Sequence, residues 1–198
     1  MIGIFDSGVG GMTVAGAIEQ VCPQYPLVYF GDVAHTPYGS KSSETIIAYS
    51  RRNTEFLLRQ GAELIVVACN SAAATSIDVL RREYTIPIID VISATTGKAA
   101  TRTLNGKIGI IGTRATVRSG IYEQQIKQEN PDCRVYGRAC PLLVPLIEEG
   151  WLHKRETKMI LRRYLHPLRR RQIDTLILGC THYPLLKDLI LKRIGKKV

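Results

Sequence analysis

The chain has 198 residues, of which 45% are hydrophobic, and it carries a formal charge of +10. That length suits one large globular domain or two small ones, and the apolar share excludes a disordered or low-complexity protein. No apolar run approaches the roughly 20 residues of a membrane-spanning helix, and Met1–Phe5 has no basic leader, so the expectation is a cytoplasmic protein with no membrane partner.

Short apolar runs alternate with amphipathic stretches. In chain order the pattern predicts a strand over Ile2–Phe5, a helix over Met12–Val21, a strand over Leu27–Gly31 and a helix over Ser42–Gln60. A strand over Leu64–Ala68, a helix over Ala72–Glu83 and a strand over Ile86–Asp90 follow. The remainder reads as helix Ser93–Thr103, strand Lys107–Gly112, helix Thr116–Glu129, strand Arg134–Ala139, helices Leu142–Gly150 and Arg155–Arg171, strand Thr175–Leu178 and helix Pro184–Ile194. Ser42 or Ser43 suits an N-cap, and Pro184 a first-turn position. The strands are rich in Ile, Val and Leu without polar alternation, as in parallel sheets covered by helices on both faces. The fold class is therefore α/β.

The chain also repeats itself. Ile2-Gly3-Ile4-Phe5 resembles Ile108-Gly109-Ile110-Ile111, and Leu64-Ile65-Val66-Val67-Ala68-Cys69 resembles Leu176-Ile177-Leu178-Gly179-Cys180, at an offset of about 110 residues. Two similar domains, 1–92 and 93–198, related by a pseudo-twofold with the active site in the cleft between them, would account for this. In open α/β sheets ligands bind beyond the carboxyl ends of the strands, where Asp6, Asp32, Cys69, Thr113 and Cys180 all fall. Each half then presents one thiol at a strand end, ahead of a helix whose N-terminus favours the thiolate. Two thiols on opposite sides of a substrate suit the transfer of a proton from one face of a carbon to the other.

Five cysteines, an odd number with no C-x-x-C pair, argue against disulfides, zinc and thioredoxin-type chemistry. Cys22, Cys133 and Cys140 lack the strand-end context and read as structural. The glycine-rich stretch Asp6-Ser7-Gly8-Val9-Gly10-Gly11 fits neither G-x-G-x-x-G nor a P-loop, so no dinucleotide or ATP site is expected. Asp6 can take a substrate ammonium group, tune a thiol or cap a helix. Pro37-Tyr38-Gly39 suits a substrate-binding loop, against the alternative of a surface turn. Asn70, Ser71 and Thr181 add donors beside the thiols. His182 lies two residues past Cys180, and Glu148 is placed to hydrogen-bond it. His35, His153 and His166 read as solvated or structural. Basic pairs such as Arg51-Arg52, Arg81-Arg82 and Lys196-Lys197 are scattered without a nucleic-acid-binding motif, which favours solvated helix faces over nucleic acid.

The motifs carrying Asp6 to Gly11, Pro37 to Gly39, Cys69 to Ser71 and Cys180 to Pro184 resemble, in order, those of the glutamate racemases. Ile111-Gly112-Thr113-Arg114-Ala115-Thr116-Val117 and Cys140–Leu146 extend the likeness. The resemblance implies cofactor-independent interconversion of L- and D-glutamate for peptidoglycan. Cys69 and Cys180 would be the acid/base pair, assisted by Asp6, Glu148 and His182. Asp6, Ser7, Pro37, Tyr38, Gly39, Asn70, Ser71, Thr113, Thr116, Thr181 and His182 would bind substrate. Ser71 stands where the family commonly has Thr, which preserves the hydroxyl. Family members also continue beyond the position of Val198 with a segment returning to the first domain. Its lack would leave an apolar face or sheet edge uncovered and invite association, a homodimer included. The alternatives are a non-catalytic relative that binds an acidic ligand or protein partner, and an aspartate racemase.

Overall fold

The computed structural model describes residues 1–195 and 198, so the Lys196-Lys197 pair lies outside the described residues. The chain divides into two compact units, Met1–Ile92 and Ser93–Val198.

The first unit is built on a four-stranded parallel sheet of β1 (Ile2–Asp6), β2 (Leu27–Gly31), β3 (Leu64–Val67) and β4 (Ile88–Asp90), in the order β2-β1-β3-β4. Its helices are α1 (Met12–Val21), α2 (Ser43–Arg59) and α3 (Asn70–Glu83). Ser42 is the N-cap of α2, its Oγ accepting from the Thr45 amide. One α2 stripe, Ile46, Ser50, Asn53, Thr54 and Leu57, is buried at helical spacing. On the outer surface Arg51 makes a two-pronged ion pair with Glu83 at the end of α3.

Helix α4 (Val91–Arg102) begins where the first unit ends, its second amide taken by Asp90 Oδ1 at 2.8 Å. The second unit holds a three-stranded parallel sheet of β5 (Lys107–Gly112), β6 (Arg134–Ala139) and β7 (Thr175–Gly179), in the order β6-β5-β7. Around it lie α5 (Arg114–Ser119), α6 (Ile121–Glu129), α7 (Leu143–Glu148), α8 (Arg155–Arg170) and α9 (Lys187–Ile194). Its core gathers Ile111, Cys140, Leu143, Leu161, Leu165, Tyr183 and Leu186.

The sequence repeat occupies equivalent slots. β1 and β5 are the central strands, with β2 and β6 on one side and β3 and β7 on the other. Even the register repeats, Gly3 pairing with Ile65 and Gly109 with Leu176. Both glycines let a helix lie close to the sheet. A Cβ at Gly3 would come 2.8 Å from the Ala62 Cβ and 3.1 Å from that of Leu57, and one at Gly109 would come 2.5 Å from the Ile173 Cδ1.

Some expectations are corrected. The helix read as continuous over Thr116–Glu129 is two helices, because Gly120 adopts φ +70° and ends α5. The stretch from Pro184 opens as a 3-10 turn, Tyr183–Leu186, before α9. Helix α3 starts at Asn70, two residues earlier than its apolar pattern suggests, so Cys69 is its N-cap residue. Among the described residues no helix is long and apolar enough to cross a membrane.

Candidate active site

Parallel pairing brings the carboxyl ends of β1, β2 and β3 to one edge of the first unit. Asp6, the last residue of β1, is wholly buried. Its Oδ2 accepts from the Gly8 amide at 3.0 Å, which folds the glycine-rich turn back over the strand end. The helix-capping alternative does not hold, since Gly11 is the N-cap of α1 and no side chain caps it. Tyr29 of β2 locks the same turn, its hydroxyl donating to the Gly8 carbonyl at 2.7 Å. Only glycine fits at Gly11, where a Cβ would stand 2.6 Å from the Asp6 Cβ and 2.9 Å from the Tyr29 hydroxyl.

Cys69 is buried at the N-terminus of α3, its Sγ 3.5 Å from Ser7 Oγ. Asn70 and Ser71 are buried in the first helical turn beside it. The helix end does not make this thiol acidic. Burial and then the Asp6 carboxylate push Cys69 up from 9.0 to about 11, against hydrogen bonds from the Ser7 hydroxyl and the Ala72 and Ser7 amides. The expectation of a favoured thiolate thus fails for Cys69, because desolvation outweighs the local donors.

The Pro37-Tyr38-Gly39 loop is no ordinary surface turn. Tyr38 is 1% exposed, and its hydroxyl donates to Asp32 and accepts from Asn53. Pro37, which follows a cis peptide bond, is exposed, and Gly39 is partly so. The loop therefore offers its backbone outward while the tyrosine ring anchors it.

In the second unit, Cys180 follows β7 and is buried, with Thr181 and His182 buried beside it. His182 Nδ1 is 3.9 Å from the Cys180 Sγ, and Nε2 is 3.2 Å from Glu148 Oε1. The Glu148 contact has ion-pair distance but lacks the alignment of a hydrogen bond, so the bond expected from the sequence is not formed in this geometry. Thr113 is the N-cap of α5. Its Oγ1 accepts from the Thr116 amide at 3.2 Å and lies 3.1 Å from the Thr116 hydroxyl. The two thiols are not wholly alike in setting, since a 3-10 turn rather than an α-helix follows Cys180.

None of the five cysteines is in a disulfide. Cys140 lies in the second core, where burial raises it to about 12. Sequence reasoning missed Tyr29 and Asn53. A polar residue on the apolar stripe of α2 was the available signal for Asn53; nothing local marks Tyr29.

Residues 12–198 match the family model described as Asp/Glu/Hydantoin racemase. The glutamate racemase of Geobacter metallireducens is 48% identical over 197 residues, covering 100% of this chain and 73% of its own length. Among solved structures, glutamate racemase isoform RacE1 from Bacillus anthracis superposes with a TM-score of 0.97 at 39% identity, over 100% of this chain and 74% of that one. Francisella tularensis glutamate racemase in complex with D-glutamate gives 0.92 at 39% identity, over 98% and 73%. Strand-end cysteines repeated in two α/β units, together with these matches over nearly the whole chain, show that the protein belongs to the Asp/Glu/Hydantoin racemase family.

Proposed function

We propose that this chain interconverts L- and D-glutamate without a cofactor, using Cys69 and Cys180 as the acid/base pair, and that the D-glutamate serves peptidoglycan synthesis in the cytoplasm. The observation that carries the reading is the repeat itself. Cys69 follows β3 and Cys180 follows β7, equivalent strands beside equivalent central strands, and both thiols are buried, Cys69 beside the Ser7 hydroxyl and Cys180 beside the His182 imidazole.

One thiolate removes the α-proton, leaving the bonding pair on Cα, delocalised into the α-carboxylate. The other cysteine, as thiol, delivers its proton to the opposite face. The product has inverted configuration and the two sulfurs have exchanged roles, so one must be ionised while the other is protonated. The raised affinity of Cys69 for its proton suits a weak carbon acid, because the thiolate, once formed, is a stronger base than an ordinary one. Ser7, Asn70, Ser71, Thr181, Thr113 and Thr116, with the backbone of Pro37–Gly39, hold the two substrate carboxylates and stabilise charge as it spreads into one of them. Asp6 takes the ammonium group and His182, backed by Glu148, assists Cys180. The likeness to proteins named glutamate racemase, one of them solved in complex with D-glutamate, supports glutamate rather than aspartate as the substrate.

The test is α-proton exchange and racemisation of L-glutamate in deuterated water. The wild-type chain should show both. Cys69→Ala and Cys180→Ala should each lose at least about a thousandfold in racemisation, as expected when a group acting in the chemical step is removed. Full activity in either variant rejects the two-thiol assignment.

A further inference from the structure

Between β2 and α2 the backbone makes two 3-10 turns, Val33–His35 and Tyr38–Ser40. Asp32 stands at the end of β2, 6% exposed. Its Oδ2 accepts from the Tyr38 hydroxyl, and its Oδ1 lies 2.7 Å from His35 Nδ1. The same tyrosine hydroxyl accepts from Asn53 Nδ2 at 3.0 Å. Asn53 is 3% exposed on α2, a helix otherwise tied to the loop through Tyr49, whose ring lies 4.3 Å from that of His35 and 5.5 Å from that of Tyr38.

A loop needs none of this merely to turn. Burying an amide, a phenol and a carboxylate is unfavourable unless every group is paired, and here the pairing runs in one line from α2 through the Tyr38 hydroxyl to Asp32. The line ends on the loop's own first residues, so it fixes the backbone between positions 32 and 38. We infer that Asn53 and Asp32 are positioning residues, acting through the Tyr38 hydroxyl to hold the exposed Pro37–Gly39 backbone in its substrate-binding geometry. The inference rests on the racemase reading above, with that backbone holding the substrate's side-chain carboxylate, away from the reacting carbon, and the other donors holding the α-carboxylate.

Such contacts are made equally in the ground state and the transition state, so loosening them raises KM and leaves kcat nearly alone. The experiment measures kcat and KM for L-glutamate, with thermal melts, in wild type, Tyr38→Phe, Asn53→Leu and the double variant. Tyr38→Phe should raise KM about tenfold and Asn53→Leu several-fold, with kcat within about twofold of wild type. The double variant should be no worse than Tyr38→Phe, because Asn53 acts only through the hydroxyl. A cooperatively melting Tyr38→Phe with unchanged KM overturns the inference. So does a fall in kcat at constant KM, or effects that multiply in the double variant. If Tyr38→Phe does not fold, Asn53→Leu decides alone, since the Tyr38–Asp32 bond survives there. Wild type without turnover removes both the racemase reading and this one; active wild type with unmoved KM in the variants removes only this one.

Discussion

Cys69 sets a testable condition on how the site rests. Its thiolate fraction is governed by burial first, then by the wholly buried Asp6 carboxylate, and the donors around it do not compensate. Alkylation requires the thiolate, so its rate should follow pH. With the thiol near 11 rather than 9.0, labelling of the substrate-free protein by iodoacetamide should climb about tenfold per pH unit through pH 10. At pH 8 the thiolate fraction is about a hundredfold below that of a thiol at 9.0. Slow access to a buried sulfur lowers the whole curve but not its slope, so the slope is the quantity to read by mass spectrometry. A plateau near pH 9 would contradict the burial argument. Both thiols were legible in the sequence because each follows an apolar strand. The proton affinity of Cys69 was not, because Asp6 lies 63 positions away and only the β1–β3 pairing brings it near. Tyr29 was hidden for the same reason, its partner being set by sheet order, whereas Asn53 showed as a polar residue on an apolar stripe but its partner is set by helix packing.

At the scale of elements, the repeat predicts that matched positions do matched work, with differences set by what surrounds them. Gly3 and Gly109 occupy the same register on the two central strands, yet their neighbours differ in rigidity. A Cβ at Gly3 meets two other Cβ atoms, those of Ala62 and Leu57, which move only with their backbones. A Cβ at Gly109 meets chiefly the tip of Ile173, and side-chain rotation can relieve that. Gly3→Ala should therefore destabilise its unit by about 2–3 kcal/mol and Gly109→Ala by about 1 kcal/mol, read by urea unfolding of each variant. Equal losses would mean that the second site is as unyielding as the first. Element boundaries were well marked where apolar runs met Gly or polar clusters, so α1, β2, β5 and β6 have the bounds read from the sequence. They were poorly marked where a cap is chemically silent. Cys69 is not a preferred N-cap residue, so the true start of α3 gave no signal, and Gly120 falls inside the single helix expected over Thr116–Glu129.

Over the whole molecule, two opposing electrostatic effects act as pH rises, and their signs differ. The formal charge of +10 falls as lysines deprotonate, which relieves self-repulsion and favours the folded state. Against this, burial raises Cys69 to about 11 and Cys140 to about 12, and also raises Tyr29, Tyr38 and Tyr183. A group whose proton is held more tightly in the folded state contributes stability below its unfolded pKa. That stability is lost as pH climbs through the window between the two values. For Cys69 the window runs from 9.0 to about 11, and the loss is on the order of 3 kcal/mol. The surface term is diffuse and screened within about 8 Å at physiological salt, whereas the buried terms are not screened and act together. The buried groups should therefore win. The melting temperature should hold level to about pH 9 and fall steadily above it, and 0.5 M NaCl should leave that fall in place. Cys69→Ala should have a shallower fall between pH 9 and 11 than wild type. A melting temperature that stays level or rises to pH 11 at low salt, and loses the rise when salt is added, would show instead that diffuse charge relief dominates and that these thiols and phenols are reached by water.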